Sequence, residues 1–307
     1  FAVVKAKWYT QEVPDGISFC YRLAGTSEWT KLAATAIEPD AETKTYSAVI
    51  PGLQPSSSYE IKAVTSSQDD TRIFTFATEA APSLYNLSFD DWYKDGQVWY
   101  PYLQGSNPTV WDSANKATAS FIGSSTTPEE TVVVSGKAAR MESKYAMIAF
   151  AAGNLYVGKF NKIAGMGADL DWGTPFSGRP VALKGHYNYK SMPIDRTDNA
   201  HKHLVGTMDK CQIQVFLTDW DEPFHINTSK GIFVDFENDK HIIAHAMMES
   251  DKTTDGFEPF ELKLQYRDVN RKPRYCVISC AASYMGDYFS GGVGSLLYVD
   301  EFEFVYE

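Results

Sequence analysis

The sequence predicts an all-β protein of two domains, and three observations lead to this prediction. Short apolar runs recur along the 307 residues and are separated by Gly, Pro, Asn, Asp and Ser, as in proteins made of strands and turns. Aromatic residues make up 14% of the chain, and 18 Tyr with 18 Phe suit the pleated surface of a sheet. The length exceeds the roughly 100–200 residues of a typical domain.

Composition and charge narrow the classes of function. A hydrophobic fraction of 44% supports packed cores and excludes disorder. The net charge of −11 disfavours nucleic acid and anionic membrane surfaces, because neutralising phosphate groups requires clustered Lys and Arg. No apolar run approaches the ~20 residues of a membrane-spanning helix. Because strand-like sequence opens the chain, we expect that a leader has been removed on export.

Residues 1–81 predict a first sandwich of short strands. Residues 45–64, TYSAVIPGLQPSSSYEIKAV, hold two apolar runs joined by a turn rich in Gly, Pro and Ser. Within this stretch, GLQP at 52–55 followed by Tyr59 resembles the tyrosine corner of a fibronectin type III domain, an immunoglobulin-like sandwich. In that corner the Tyr hydroxyl bonds back to the backbone. We expect this domain to act as a spacer, with Trp8 and Trp29 in its core.

Residues 82–307 predict a second, larger domain, which follows a linker near Ala80–Ser83. Strand-like segments such as YAMIAFAAGNLYVGKF, KCQIQVFLTDW, RYCVISCAAS and SLLYVDEFEFVYE succeed one another. No helix-length periodic segment with caps interrupts them. Strands at this spacing in one large unit predict a β-sandwich jelly roll.

Three motifs in this half carry a resemblance to a known family. The segments AAGNLYVGKF, WGTPFSGRPVALKGHYNYK and GDYFSGGVGSLLYVDEFEF resemble the putative carbohydrate metabolism domain family of exported Bacteroidetes proteins. The resemblance implies a jelly roll related to carbohydrate-binding modules and jelly-roll glycoside hydrolases. It also implies export to the cell surface, as an outer-membrane lipoprotein, or to the periplasm. Other surface proteins of glycan uptake are the implied partners, but no residue is assigned a chemical role.

Alternation along residues 210–220, KCQIQVFLTDW, predicts a ligand-binding face. In a strand, successive side chains point to opposite faces. Cys211, Ile213, Val215 and Leu217 then form a core face, and the other face carries Gln212, Gln214, Phe216, Thr218 and Trp220. Amides bond the hydroxyls of a sugar, and an indole ring stacks on its C–H face. A solvated outer face is the alternative.

Two further segments supply candidate ligand-binding residues. The segment RPVALKGHYNYK contributes candidates from both faces of one strand. The segment of residues 90–115 is dense in rings, and its loops either pack down as a lid or offer platforms for stacking. The candidates are Arg179, His186, Tyr187, Asn188, Tyr189, Trp99 and Trp111.

Acidic residues near the two ends of the second domain predict a structural calcium site. LSFDDW is expected to be the first strand of this domain and LYVDEFEF the last, and such strands lie together in jelly-roll carbohydrate modules. Asp90, Asp91 and Asp300 would then supply the carboxylate oxygens that Ca²⁺ prefers. The alternative is hydrogen bonding of these carboxylates to the backbone at a strand end. No other cofactor is expected.

A glycosidase requires two carboxyl groups, about 5–5.5 Å apart for retention of configuration and about 6.5–9.5 Å apart for inversion. Asp235 and Glu237 stand at alternate positions and are the candidate catalytic residues. The following Asn238-Asp239-Lys240 also fits a hairpin turn, which would take these acids away from any site.

The four cysteines form no CxxC motif. Cys211 could pair across a sheet with Cys276 or with Cys280, and buried free thiols are the alternative. Three classes of function remain open: a protein that binds an oligosaccharide or polysaccharide, a glycoside hydrolase on the same fold, and a structural or adhesive surface protein. The polar and aromatic strand faces favour the first class.

Overall fold

The computed structural model describes residues 1–67, 72–106, 110–146, 149–165 and 167–306. Antiparallel strands dominate it, so the predicted all-β sandwich class is confirmed. The chain forms two compact units. The smaller comprises Phe1–Pro82, Gly178–Val181 and Tyr306–Glu307, and the larger comprises Ser83–Ser177 and Ala182–Val305.

The smaller unit contains two sheets, with strand orders β1-β5-β4 and β3-β2-β6-β7. The strands are β1 (Ala2–Lys7), β2 (Ser18–Leu23), β3 (Thr30–Lys31), β4 (Glu38–Asp40), β5 (Thr45–Ile50), β6 (Ser58–Val64) and β7 (Phe74–Ala77). Buried aromatic residues from both sheets, among them Trp8, Phe19 and Tyr46, share one core. The hydroxyl of Tyr59 accepts a hydrogen bond from the Gln54 amide at 3.0 Å, which ties β6 to the preceding turn.

The larger unit has strands from Tyr93 to Val305. They are β8 (Tyr93–Asp95), β9 (Val98–Tyr100), β10 (Trp111–Asp112), β11 (Thr126–Glu129), β12 (Ala138–Glu142), β13 (Lys144–Ala146), β14 (Ala149–Ala151), β15 (Asn154–Ala164), β16 (Gly167–Trp172), β17 (Thr174–Pro175), β18 (Ala182–Lys190), β19 (Cys211–Thr218), β20 (Phe224–Asn227), β21 (Ile242–Ser250), β22 (Glu258–Lys263), β23 (Gln265–Tyr266), β24 (Tyr275–Ala281) and β25 (Leu296–Val305).

Two main sheets of the larger unit form its sandwich. A nine-stranded sheet has the order β20-β16-β15-β24-β19-β21-β23, with β10 beside β15 and β17 beside β24, and a five-stranded sheet has the order β11-β12-β25-β18-β22. Ile213, Ile278 and Leu297 are fully buried on strands of these sheets. The Tyr189 hydroxyl on β18 donates to the carbonyl of Ala282, just after β24, at 3.0 Å.

One helix, α1 (Asn115–Ile122), lies where the sequence predicted only loops and strands. It ends at Gly123, whose φ of 74° suits a residue without a Cβ atom. The helix was missed because it spans only eight residues and its first turn has no side-chain cap. Single turns of 3-10 helix occur at Ala34–Ala36, Lys202–Leu204, Thr228–Lys230 and Gly286–Tyr288. In the described part of the chain, no helix is long and apolar enough to cross a membrane.

All four cysteines are buried free thiols, so the alternative of a disulfide involving Cys211 is not realised. Cys211 on β19 and Cys276 and Cys280 on β24 are fully buried on the inward faces of adjacent strands. Burial raises the pKa of Cys211 to about 12, because the thiolate loses its hydration.

Candidate functional site

A cavity of about 340 Å³ lies on the outer face of the nine-stranded sheet in the larger unit. Its floor comes from five consecutive strands of that sheet, β20, β16, β15, β24 and β19. Helix α1, β14 and the segment 283–289 supply its walls. The volume falls in the lower part of the ~300–1,000 Å³ that small-molecule sites occupy.

Neutral polar side chains form a row across the floor of the cavity. In the register of the sheet, Ser279 on β24 stands opposite Tyr156 on β15 and opposite Gln214 on β19. The next row contains Asn154, Ala281 and Gln212. Side chains in register on adjacent strands are about 5 Å apart, so these hydroxyl and amide groups lie close enough to contact one small molecule together. We call Asn154, Tyr156, Gln212, Gln214 and Ser279 the polar floor.

One group of the polar floor has a polar atom without a protein partner. The hydroxyl of Tyr156 is buried and makes no hydrogen bond within the described residues. Gln214, beside it in the floor, is 4% exposed. Leaving a buried donor or acceptor unpaired costs about 1–3 kcal/mol. A bound molecule that pairs with the Tyr156 hydroxyl recovers that cost.

Two other polar-floor side chains, those of Gln212 and Asn154, are held by hydrogen bonds. The Gln212 amide donates to Glu249 at 3.1 Å, and the side-chain oxygen of Asn154 accepts from the Ala114 amide at 3.0 Å. Burial raises the pKa of Tyr156 well above its usual range, so its hydroxyl keeps its proton and remains a donor. The floor therefore presents fixed neutral donors and acceptors.

The wall that helix α1 forms is largely apolar. Helix α1 and its N-cap present Ala114, Ala117, Thr118 and Phe121, which follow the i, i+3, i+4, i+7 spacing of one helical face. Phe121 is 67% exposed and Ile163 on β15 is 51% exposed, although both line the cavity. Covering these exposed apolar side chains with a ligand would be favourable, because it removes apolar surface from water.

Asp287 is the single charged side chain among the described residues that line the cavity. The residue is partly open to solvent, and desolvation raises the pKa of its carboxyl group. A carboxyl group with a raised pKa can donate a proton or a hydrogen bond. Hydrolysis by two carboxyl groups would need a second acid, and the described lining supplies none.

A buried carboxylate, Asp209, anchors the segment that carries Asp287. Asp209 is completely buried, and its Oδ2 accepts hydrogen bonds from the hydroxyls of Ser283 at 2.6 Å and Ser295 at 2.9 Å and from the Gly292 amide at 2.8 Å. Desolvation nevertheless raises its pKa. These bonds hold both ends of residues 283–295, so Asp209 positions one wall of the cavity without lining it.

Glycines let the same segment pack closely against its neighbours. A Cβ atom on Gly286 would lie 2.4 Å from the Cβ atom of Ala152, and one on Gly291 would lie 2.5 Å from the ring of Phe150. Phe289, between them, adopts a left-handed φ of 54° and lines the cavity. The motif GDYFSGGVGS thus shapes the wall of the cavity through its backbone.

The structure brings only two of the sequence-predicted ligand-binding residues, Gln212 and Gln214, into the cavity. Trp220 does not line it. Trp220 is 6% exposed, packs against Phe216 and Phe224 with ring centroids 5.8 and 5.2 Å apart, and donates its indole N–H to Asp239 at 2.9 Å. In this position its ring is part of an aromatic cluster and has no free face for a sugar.

The candidates on β18 lie away from the cavity, on the other sheet. Tyr187 and Tyr189 are buried, and the Asn188 side chain accepts from the Thr254 hydroxyl at 2.9 Å. His186 stands opposite Asp300 of β25. Arg179 belongs to the smaller unit, where its guanidinium lies 5.1 Å from the ring centroid of Phe1. Because β18 is an interior strand of the five-stranded sheet, its residues belong to a sheet that does not line the cavity.

In the aromatic segment 90–115, the described Trp and Tyr rings pack against other parts of the larger unit. Trp111 is 1% exposed and donates its indole N–H to the Tyr85 carbonyl at 2.8 Å. Trp99 is half-buried, with the Lys94 ammonium 5.4 Å from its ring centroid, and it does not line the cavity. Tyr93 and Tyr100 stack on each other with centroids 4.7 Å apart. These rings stabilise the unit and leave no platform at the cavity.

The candidate catalytic residues Asp235 and Glu237 lie on an exposed turn outside the cavity. The Asp235 carboxylate accepts hydrogen bonds from the amides of Glu237 and Asn238, at 3.2 and 3.0 Å. Hydrogen bonds from Asn238 hold its pKa below the usual range. Asp235 therefore caps a turn, as the alternative interpretation of this segment proposed.

The predicted calcium ligands serve as hydrogen-bond acceptors. Asp300 is completely buried, and its Oδ2 accepts from the amides of Val134 and Ser135 at 2.7 and 3.2 Å. Asp90 accepts from the Lys137 amide, and Asp91 accepts from the Tyr85 hydroxyl. Within the described residues, no three acidic, His or Cys side chains gather as metal ligands. The Oδ1 atom of Asp300 is buried and has no hydrogen-bond partner in the described part of the chain, so a structural calcium ion at this position stays a prediction.

Sequence reasoning missed Tyr156, Ser279, Asp287 and Asp209. Alternation in NLYVGKF and CVISCA already separates Tyr156 and Ser279 from the core residues beside them, so the signal for these two existed. Nothing in the local pattern marks Asp287 or Asp209, because their roles depend on contacts with distant segments.

Comparison with known proteins agrees with the β-sandwich fold. The model of the family described as "Putative carbohydrate metabolism domain" matches residues 88–305. The chain belongs to this family, which confirms the resemblance found in the sequence and makes its larger unit a domain related to carbohydrate metabolism. A search of curated proteins found no match.

Two solved structures share the fold. One is a putative glycoside hydrolase from Bacteroides thetaiotaomicron VPI-5482, which has a TM-score of 0.58 and 17% identity and aligns over 98% of this chain and 99% of its own. The other is a putative glycoside hydrolase from Bacteroides vulgatus ATCC 8482, which has a TM-score of 0.56 and 20% identity and covers 72% of this chain and 97% of its own. At these identities the likeness establishes the fold.

Proposed function

We propose that the cavity binds a neutral oligosaccharide or a segment of a polysaccharide, and that the protein serves polysaccharide utilisation at the bacterial cell surface or in the periplasm. The observation that supports this proposal most directly is the row of Tyr156, Ser279 and Gln214 across three adjacent strands. Hydroxyl and amide groups pair with the hydroxyls of a sugar as both donors and acceptors.

Charge supports a neutral ligand. The described lining contains no Lys, Arg or His, and its only charged group is the Asp287 carboxyl. A sulfated or uronate-rich glycan would meet this carboxyl without a compensating cation, which is unfavourable in a desolvated cavity. Membership of a carbohydrate-related family agrees with this ligand class.

Glycan-array screening followed by calorimetric titration tests the proposal. Replacing Gln214→Ala should lower the affinity for the best glycan about 10-fold, equivalent to about 1.4 kcal/mol, because one amide pair is lost. Gln265→Ala, on β23 of the same sheet and outside the cavity, is the matched control and should bind normally. Absence of binding to every neutral glycan, or equal affinities for the two variants, would refute the proposal.

A glycoside hydrolase is the second candidate, and the raised pKa of Asp287 is the observation in its favour. A protonated carboxyl in a cavity is the form that a general acid requires. Release of reducing sugar that is lost in Asp287→Asn and retained in Glu237→Gln would establish hydrolysis at the cavity. Without a second carboxyl in the described lining, we expect binding without release.

A further inference from the structure

The cavity has two chemically different halves. Moving across the sheet, the floor begins with apolar side chains on β20 and β16, including Ile226 and Leu170, and ends with Gln212 and Gln214 on β19. Tyr156 on β15 stands at the boundary between them. Phe121 and Ile163 continue the apolar half into the wall. We call Phe121 and Ile163, together with the flanking floor residues Leu170 and Ile226, the apolar wall.

A saccharide that is hydroxylated on every side does not match both halves. Hydroxyls pressed against the apolar wall would lose water without gaining a partner, which is costly. A wholly apolar molecule would not match the polar floor either, since it would leave the buried Tyr156 hydroxyl unpaired and would remove the Gln214 amide from water without offering it a hydrogen bond. The geometry requires a molecule that carries both kinds of surface.

We propose that the ligand is a neutral sugar carrying an apolar substituent about the size of a phenyl ring, as in an aryl glycoside or an aromatic ester of a sugar. This proposal rests on the proposed function and specifies its ligand class. The sugar pairs with the polar floor, and the substituent covers the apolar wall, above all the exposed rim formed by Phe121 and Ile163.

The volume and the charge of the cavity agree with such a ligand. About 340 Å³ is small for a long glycan chain and lies in the lower part of the range for compact small molecules. The described lining lacks a cation that would hold an anionic group. A neutral, compact and amphipathic molecule satisfies both limits.

Matched pairs of methyl and 4-nitrophenyl glycosides test the proposal by calorimetry or ligand-observed NMR on the full chain. Pairs of glucose, galactose, mannose and xylose separate the contribution of the sugar from that of the ring. We expect the 4-nitrophenyl member of the preferred pair to bind at least about 10-fold more tightly, since ring burial adds apolar contact. Free 4-nitrophenol should bind more weakly than its glycoside.

Variants test whether the preference for the 4-nitrophenyl glycoside depends on the apolar wall. Phe121→Ser and Ile163→Ser change exposed side chains, so the fold should persist, and each should reduce the preference for the 4-nitrophenyl glycoside several-fold. Phe74→Ser, 63% exposed in the smaller unit, is the matched control and should leave that preference unchanged. Gln214→Ala should weaken both members of a pair.

The outcomes distinguish this inference from the proposed function. Equal affinities within every pair, or a preference unaffected by both wall variants, would overturn the inference and leave saccharide binding in place. Binding of 4-nitrophenol as tight as that of its glycoside would overturn the sugar component, and with it the proposed function. Failure of every glycoside to bind would overturn the inference, and the glycan array would then decide the proposed function by itself.

Discussion

One face of β19 carries two regions that differ in what covers them. At its first half, Gln212 and Gln214 face the cavity. At its second half, Phe216 is fully buried under Trp220 and Phe236, with centroid distances of 5.8 and 5.1 Å. Gln212, Gln214 and Phe216 are alternate residues of β19, so their side chains point to the same side of the sheet. Alternation along the strand therefore determines which side of the sheet a side chain faces. The segments that pack over that side determine whether it lines a cavity or becomes part of the hydrophobic core.

Residues 224–236 supply much of the covering around Phe216. Ile226, Phe233, Val234 and Phe236 from this stretch join the aromatic cluster around Phe216. At the other end, α1 and the segment 283–289 stand beside the sheet as walls and leave the floor open. We therefore expect substitutions in the aromatic cluster to change stability, and substitutions in the cavity to change binding.

The largest expected effect is the loss of stability in Trp220→Ala. Removing a buried indole should lower the free energy of unfolding by about 3–5 kcal/mol, measured by urea denaturation of the full chain. Trp220→Phe keeps a ring and loses only the bond to Asp239, so it should cost about 1 kcal/mol. A Trp220→Ala protein with unchanged stability and lost glycan binding would contradict the division of this face.

The second effect concerns the anchor of the cavity wall. Asp209→Asn should lower the free energy of unfolding by about 2–3 kcal/mol, because the buried carboxylate accepts three charge-assisted bonds at one oxygen. Affinity for glycan should fall with it, since residues 283–295 lose their anchor. Asp255→Asn, exposed on a loop, is the control and should change stability by less than about 0.5 kcal/mol. Normal stability and affinity in Asp209→Asn would show that other contacts hold the wall.

A smaller, few-fold effect is expected in the pH dependence of binding. The pKa of Asp287 is raised by desolvation, and a ligand that displaces more water should raise it further. The complex then holds the proton more tightly than the free protein. Affinity for a neutral glycan should therefore increase as the pH falls from neutrality through the pKa of Asp287 in the complex to that in the free protein. Calorimetry across pH should show this trend in the wild type and in Asp235→Asn, and a flat profile in Asp287→Asn; an identical trend in Asp287→Asn would assign it to another group.

The smallest effect tests the opposite face of β19. Cys211 is fully buried with a pKa raised to about 12, so a thiol reagent should not modify it in the native protein at neutral pH. Mass spectrometry should find all four thiols unmodified until denaturant is added. Rapid modification of Cys211 in the native state would mean that this face is open to solvent.

Much of the architecture was predictable from local pattern. Alternation assigned Cys211, Ile213, Val215 and Leu217 to the core, and all four are fully buried. It also placed Gln212 and Gln214 on the face that forms the cavity. The same logic would have found Tyr156 and Ser279, because period-two alternation depends only on the geometry of a single strand.

The surroundings of other residues could not be predicted from the local sequence pattern. Trp220 shares the parity of Gln214 yet joins the aromatic cluster, and Asp235 stands at a plausible catalytic spacing yet caps a turn. His186 and Asn188 lie on an interior strand of the other sheet. Each outcome depends on which distant segment packs against the residue, and alternation along one strand carries no information about that partner.

By itself, the sequence determined the all-β class, the family, the strand faces and the two amides of the cavity, because these follow from side-chain alternation and from local motifs. The tertiary structure alone decided that Gln214 meets Tyr156 and Ser279, that Asp287 is the charged group of the described lining, and that Asp209 anchors the wall. These relations join residues far apart in the chain, and sheet register and long-range packing bring them together.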